Sequence, residues 1–163
     1  MDIRKVYEYA LQREREGYNF FSQNAKRFGH AAATGVFEQL AGEEAKHIEF
    51  VQSLLDSLGD GSATGLEKGI ALQKEGFFTQ RAGSEMLDQT VIEAMVPDLP
   101  VLRMAYLIER DFTEFYHQAA SKIEGDARII LEMLARWEAG HERLFKKMHD
   151  EAFEKYAEMP WGG

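Results

Sequence analysis

The sequence predicts an all-α chain, a four-helix bundle of two helical hairpins joined by a long crossover. Three observations carry this. The 163 residues hold only three prolines, at 97, 100 and 160, so two long stretches lack the residue that breaks helices. Apolar residues recur every three to four positions, the spacing of one helix face, and no alternating strand pattern runs for any length. The two halves also repeat each other at a nearly constant offset.

Each element follows in order. Residues 2–28 read as the first helix, with Asp2 as its N-cap and Gly29 as its stop. Val6, Ala10, Gly17, Phe21, Ala25 and Phe28 form its inner stripe, and Glu14 fills the one wide gap. Residues 31–58 read as the second helix, ended by Gly59. Its inner face carries Val36, Phe37, Leu40, Ile48, Val51, Leu54, Leu55 and Leu58. The crossover, 59–98, opens with a glycine-rich loop over 59–65. Short helices are expected over 66–75 and 84–95, then a break at Val96-Pro97-Asp98-Leu99-Pro100. The third helix spans 99–123, Gly125-Asp126 punctuate, and the fourth spans 127–157. Residues 158–163 form a tail, and the whole of 1–163 is expected to be one domain.

The repeat is specific. Ala10, Glu14, Phe20, Phe21 and Ala25 recur as Ala105, Glu109, Phe115, Tyr116 and Ala120, at an offset of 95. Leu40, Ala41, Glu44, His47, Phe50, Val51 and Leu54 recur as Leu134, Ala135, Glu138, His141, Leu144, Phe145 and Met148, at an offset of 94. Two independent patterns at nearly one offset indicate a duplicated helical hairpin.

Composition narrows the chemistry. A net charge of −9 argues against a nucleic-acid partner, whose phosphates need basic residues. The chain has no cysteine, which excludes disulfides, thiolate nucleophiles, thiolate zinc sites and four-cysteine iron sites. No apolar run approaches the ~20 residues of a membrane span, and the first residues have no signal-peptide core. A cytoplasmic location is the default expectation.

Glu44-x-x-His47 carries the first chemical signal. Residues i and i+3 share a helix face, so both side chains can reach one ion. That face also carries Leu40, Val51 and Leu54, so a carboxylate and an imidazole point into the core. A buried charge without a partner is costly, and a cation offsets the cost. Glu138-x-x-His141 repeats the arrangement beside Leu134, Phe145 and Met148. Glu14 sits on the buried stripe of the first helix, and Glu109 holds the same phase in the third. One Glu from each of two helices, with one Glu-x-x-His from each of the others, is the donor set of a carboxylate-bridged di-metal site. Four carboxylates and two divalent ions sum to zero charge. Such donors suit iron or manganese and tolerate zinc.

A third Glu-x-x-His, Glu114 to His117, is a decoy. Glu114 lies roughly 140° around the helix from Glu109, so both cannot face inward. His30, His117 and His149 read as surface residues, and Glu16 points about 200° away from Glu14. Phe20, Phe21, Phe112, Phe115 and Trp137 read as core packing around the site. Tyr116 differs from its counterpart Phe21 in carrying a hydroxyl, which can hydrogen-bond a ligating carboxylate and so make the two metal positions unequal. Phe77-Phe78 and Trp161 are candidate contact residues.

The motifs Ala10-x3-Glu14-x2-Gly17-x2-Phe20-Phe21, Leu40-Ala41-x2-Glu44-x2-His47, Ala105-x2-Ile108-Glu109-x5-Phe115-Tyr116 and Glu138-x2-His141 resemble the rubrerythrin-type branch of the ferritin-like superfamily. They fall on all four long helices, in order. The resemblance implies a ferritin-like bundle with a non-haem di-iron centre. It implies that Glu44 and Glu138 bridge two irons, that Glu14 and Glu109 are terminal ligands, and that His47 and His141 each ligate one iron. It further implies oxidation of ferrous iron by peroxide or dioxygen, and a homodimer. Two departures stand out. The cysteine-bound rubredoxin domain of rubrerythrins proper has no counterpart here, so electrons would come from a separate donor. The second carboxylate that rubrerythrins carry three residues after the third-helix ligand is replaced by Phe112, while Asp111 points away.

The leading expectation is therefore a di-iron oxidoreductase or ferroxidase. The alternative is iron binding, storage or delivery without turnover. A metal site serving only as a folding staple is a third reading.

Overall fold

The computed structural model describes residues 1–60, 65–76 and 89–160. Four long helices dominate it: α1 (Ile3–Ala25), α2 (Ala31–Asp60), α5 (Leu99–Ala120) and α6 (Asp126–Glu158). Between α2 and α5 lie α3 (Gly65–Glu75), α4 (Gln89–Met95) and a 3₁₀ turn over Val96–Asp98. The described residues contain no strand. The expected all-α bundle of two hairpins with a crossover is what forms. Phe77, Phe78, Trp161, loop residues 61–64 and the expected helical stretch 84–88 lie outside the described residues. Among the described residues, no helix is long and apolar enough to cross a membrane.

Local chemistry sets the helix ends. Asp2 caps α1, its side chain accepting from the Arg4 N–H at 3.1 Å. At the start of α2, His30 plays the same part, its Nδ1 accepting from the Ala32 N–H at 3.2 Å. Gly125 precedes α6 at φ 71°, a left-handed conformation that glycine adopts without a Cβ penalty.

Several expected ends move. The first helix stops at Ala25 rather than 28, and the third at Ala120 rather than 123. In both places the final turn tightens to three-residue bonds, Arg27 N–H to Asn24 C=O and Lys122 N–H to Ala119 C=O. Gly59 does not stop α2, which continues to Asp60. Leu58, expected inside, is 40% exposed, because it lines an open surface pocket with Ile3, Tyr7 and Ile130 instead of packing in the core.

Apolar side chains form two clusters. One gathers Tyr7, Leu11, Val51, Leu54, Leu131 and Leu134, from the start of α1 and α6 and the second half of α2. The other gathers Phe21, Phe37, Leu40, Leu102, Phe145 and Met148, from the opposite end of the bundle. The crossover runs back along the bundle between these ends, so α2 and α5 point the same way. Its helices α3 and α4 pack on α6. Gly69 of α3 lies so close to Met133 and Phe50 that a Cβ there would sit 2.9 Å from the Phe50 ring. Between the two apolar clusters lies a polar layer.

Candidate metal centre

Helical periodicity fills this layer. Glu14 sits one turn after Ala10 and just before Gly17 on the inner stripe of α1, and Glu109 sits one turn after Ala105 on α5. Glu44 and His47 stand one turn apart on α2, as Glu138 and His141 do on α6. Every one of the six residues expected at the site is buried: five have no exposed surface, and His141 has 1%.

The structure brings all six together as two overlapping groups. Glu14, Glu44, His47 and Glu138 form one, and Glu44, Glu109, Glu138 and His141 the other. In each, one donor atom per residue lies within 4.8 Å of the rest. His47 Nδ1 is 2.9 Å from Glu138 Oε1, 3.4 Å from Glu14 Oε2 and 3.7 Å from Glu44 Oε2. His141 Nδ1 is 2.8 Å from Glu44 Oε1, 3.4 Å from Glu138 Oε2 and 3.7 Å from Glu109 Oε2. Glu44 and Glu138 thus each turn one oxygen toward either half. The imidazoles lie nearly parallel, their centroids 5.4 Å apart.

The surroundings of the two halves differ. The Tyr116 hydroxyl donates to Glu14 Oε1, the carboxylate contact expected of it. Its counterpart Phe21 carries no hydroxyl and stacks on Phe145 instead. The Trp137 ring stacks on His47 with centroids 5.1 Å apart. On the other side, His141 Nε2 meets Glu43 Oε2 at 2.8 Å, with Glu43 only 4% exposed. The sequence reading missed Glu43. Its repeat counterpart is Trp137, so the offset that flags the other donors is silent at this position. Gly17 pairs with Phe112 across the repeat, and the two meet: a Cβ on Gly17 would sit 3.2 Å from the Phe112 ring and 3.4 Å from Glu44 Oε2. Arg13 covers the Phe112 ring from outside, 4.7 Å from its centroid.

The residues set aside stay out. Glu16 is exposed and pairs with Arg13, while Glu114 and His117 face solvent. His149 lies against Tyr106 and Phe153 near the surface.

Left to themselves, buried groups this close settle their charges with protons. Burial first, then the Glu138 charge, pushes Glu14 well above the usual carboxylate value. Burial and the Glu44 charge do the same to Glu109. Burial also raises Glu44 and Glu138, but the neighbouring imidazoles outweigh it and hold both below the usual range. At His47 and His141 burial disfavours the charged ring, yet the surrounding carboxylates win and hold both well above the ordinary 6.5. Tyr116 is raised by burial and by the Glu14 charge, so it remains a donor.

Protons do not satisfy the layer. Glu14 Oε2, both oxygens of Glu44, Glu109 and Glu138, and His141 Nδ1 are buried without a hydrogen bond. Their close approaches lack hydrogen-bond direction: lone pairs converge on a common interior. Each unmet buried polar atom costs about 1–3 kcal/mol. A cation coordinated by those lone pairs removes that cost, so this donor set fits a metal site.

An all-α ferritin-like bundle with a buried carboxylate and histidine layer that fits metal defines the class of protein. The rubrerythrin family model matches residues 1–96, more than half of the chain. The chain belongs to the rubrerythrin family. The match spans Glu14, Glu44 and His47, and the internal repeat carries the pattern on to Glu109, Glu138 and His141. No curated protein and no solved structure matches the chain.

Proposed function

We propose that the polar layer holds two iron ions and that the protein is a non-haem di-iron oxidoreductase of the ferroxidase or peroxidase type. Glu44 and Glu138 would bridge the ions, Glu14 and His47 would complete one half, and Glu109 and His141 the other. Manganese suits the same donors, and zinc is tolerated. When bound, a ferrous pair supplies two electrons to peroxide or dioxygen.

The observation that carries this reading is the set of buried carboxylate oxygens without hydrogen bonds, converging from four helices. The chain's own residues do the rest. Tyr116 fixes Glu14 by occupying Oε1, which leaves Oε2 turned toward His47. The apolar clusters on either side exclude bulk water and hold the carboxylates in low dielectric, where they bind cations strongly. We assign re-reduction of the centre to a separate electron donor. The homodimer implied by the resemblance and a cytoplasmic setting complete the proposal, and a solution mass tests the former.

The deciding experiment is elemental analysis of protein purified without a chelating tag, beside a Glu44→Ala/Glu138→Ala variant. About two irons per chain, lost in the variant, support the centre. Peroxide or dioxygen oxidation of the loaded, reduced protein is then timed against free iron. A faster rate supports the oxidoreductase. Uptake with no acceleration would overturn it in favour of storage or delivery.

A further inference from the structure

We propose that the seam between α1 and α5 is the entry by which small ligands reach the centre, with the Phe112 ring as its gate and Arg13 as the latch on that gate. This rests on the reading that the polar layer holds metal.

Each hairpin is packed closely on itself, α1 along α2 and α5 along α6, whereas α1 and α5 touch far less. The crossover helices α3 and α4 lie against α2 and α6, which gives that side of the bundle an outer cover. The α1–α5 side is closed by side chains of its own. Tyr9, Arg13 and Gly17 follow one another at single turns along α1. Phe112 stands one turn after Glu109 on the inner face of α5.

These residues form a line from solvent to a donor. A Cβ on Gly17 would meet the Phe112 ring at 3.2 Å and Glu44 Oε2 at 3.4 Å, so ring and donor oxygen flank the space that a bare glycine leaves. The Arg13 guanidinium lies 4.7 Å from the Phe112 centroid and 6.0 Å from that of Tyr9, a contact between a cation and two rings. Glu16 holds the guanidinium from outside at 3.2 Å, and Gln12 Nε2 donates to Glu16 at 2.9 Å. The order inward is therefore Glu16, Arg13, Phe112, Glu44. A phenyl ring pivots without breaking a hydrogen bond. The Arg13 side chain is 25% exposed, and a cation–ring contact is weak at an exposed position, so the latch opens readily. The inner walls, a phenyl ring and a glycine, offer nothing to replace the water around a cation. The route thus suits a small ligand of low charge and peroxide size rather than a metal ion.

The test follows azide binding to cobalt(II)-loaded protein by stopped-flow visible absorption, with equilibrium affinity measured beside the rate. Phe112→Ala is expected to bind azide roughly tenfold faster or more. Arg13→Ala should be roughly two- to fivefold faster, the loss of one exposed cation–ring contact. Gly17→Ala, whose Cβ wedges against the ring, should be slower by roughly two- to fivefold. Affinity in all three should stay within about twofold, because a gate alters entry and exit alike. Phe50→Ala, an equal truncation beneath α3, should leave the rate unchanged and so separates a gate from general loosening. If Phe112→Ala does not fold, the opposite shifts of Gly17→Ala and Arg13→Ala carry the test. Wild-type rates in all the seam variants, or equal acceleration by Phe50→Ala, would overturn the gate while cobalt uptake leaves the metal reading intact. So would cobalt uptake with no azide signal in any of these proteins. No cobalt uptake by wild type would overturn that reading, and the gate with it.

Discussion

Around His47 stand an indole ring and a carboxylate that already accepts from a phenol. Around His141 stand the Glu43 carboxylate and a Glu109 that receives no such bond. The inner donors of the two halves are nevertheless the same, residue for residue, across the internal repeat. Duplication preserved what touches the interior and let the supports diverge. A site can thus be symmetric in donors and asymmetric in behaviour, because the second layer sets ring orientation, basicity and charge.

The comparison breaks most sharply at the shared residues. Glu138→Ala removes an oxygen from each half at once and is expected to abolish binding of both ions. Glu14→Ala and Glu109→Ala each touch one half, and each is expected to remove one ion per chain. Elemental analysis of the three variants checks the division; loss of both ions from Glu14→Ala would show that the halves do not act separately.

Charge state sharpens it next. Glu14 and Glu109 are raised while Glu44 and Glu138 are lowered, so terminal and shared carboxylates part in opposite directions. In metal-free protein the raised imidazoles contribute stability that is full below their ordinary 6.5 and lost as pH climbs through their folded values. The raised Glu14 and Glu109 act in the same sense. The lowered pair contribute stability above their ordinary 4.5, lost as pH falls through their folded values. Metal-free protein is therefore expected to lose stability as pH rises above 6.5. Metal competes with those protons, so its affinity should rise over the same window. Thermal melts across pH, with and without metal, read both trends.

Smaller effects come from the supports. Tyr116→Phe leaves Glu14 Oε1 without its donor and is expected to destabilise metal-free protein by about 1–3 kcal/mol. Denaturant titration measures this. Metal titration of the same variant should change only the step belonging to the His47 half. Gly17→Ala is the mildest. Alanine gains about 1 kcal/mol of helix propensity, but its Cβ would lie 3.2 Å from the Phe112 ring. The net change in melting is expected to stay within about 1 kcal/mol, with Phe112 shifted slightly beneath Arg13.

The six buried carboxylate and imidazole residues that the structure gathers were legible because two regularities coincide at them. Helical spacing puts Glu14 in the gap between Ala10 and Gly17, and the repeat finds the same residue at Glu109. Tyr116 was legible as the one polar break in an otherwise matched aromatic pair. Glu43 was not, because it lies about 100° around α2 from Glu44, facing sideways. Which neighbour such a residue meets depends on how the hairpins dock, and no single-helix pattern states that. Helix ends were misplaced for a related reason. Gly59 has the chemistry of a stop, yet α2 runs on through it to Asp60.

The polar layer also divides the interior into two apolar clusters, one toward each end of the bundle. In metal-free protein the buried polar atoms without hydrogen bonds weaken the link between those ends, whereas ions held by all four helices would tie them together. Metal-free protein should then open in two steps, with amide exchange at Leu131 and at Phe145 reporting different opening energies. Loading should merge them into one cooperative unit. On this view the centre also decides whether the molecule unfolds as one body or two.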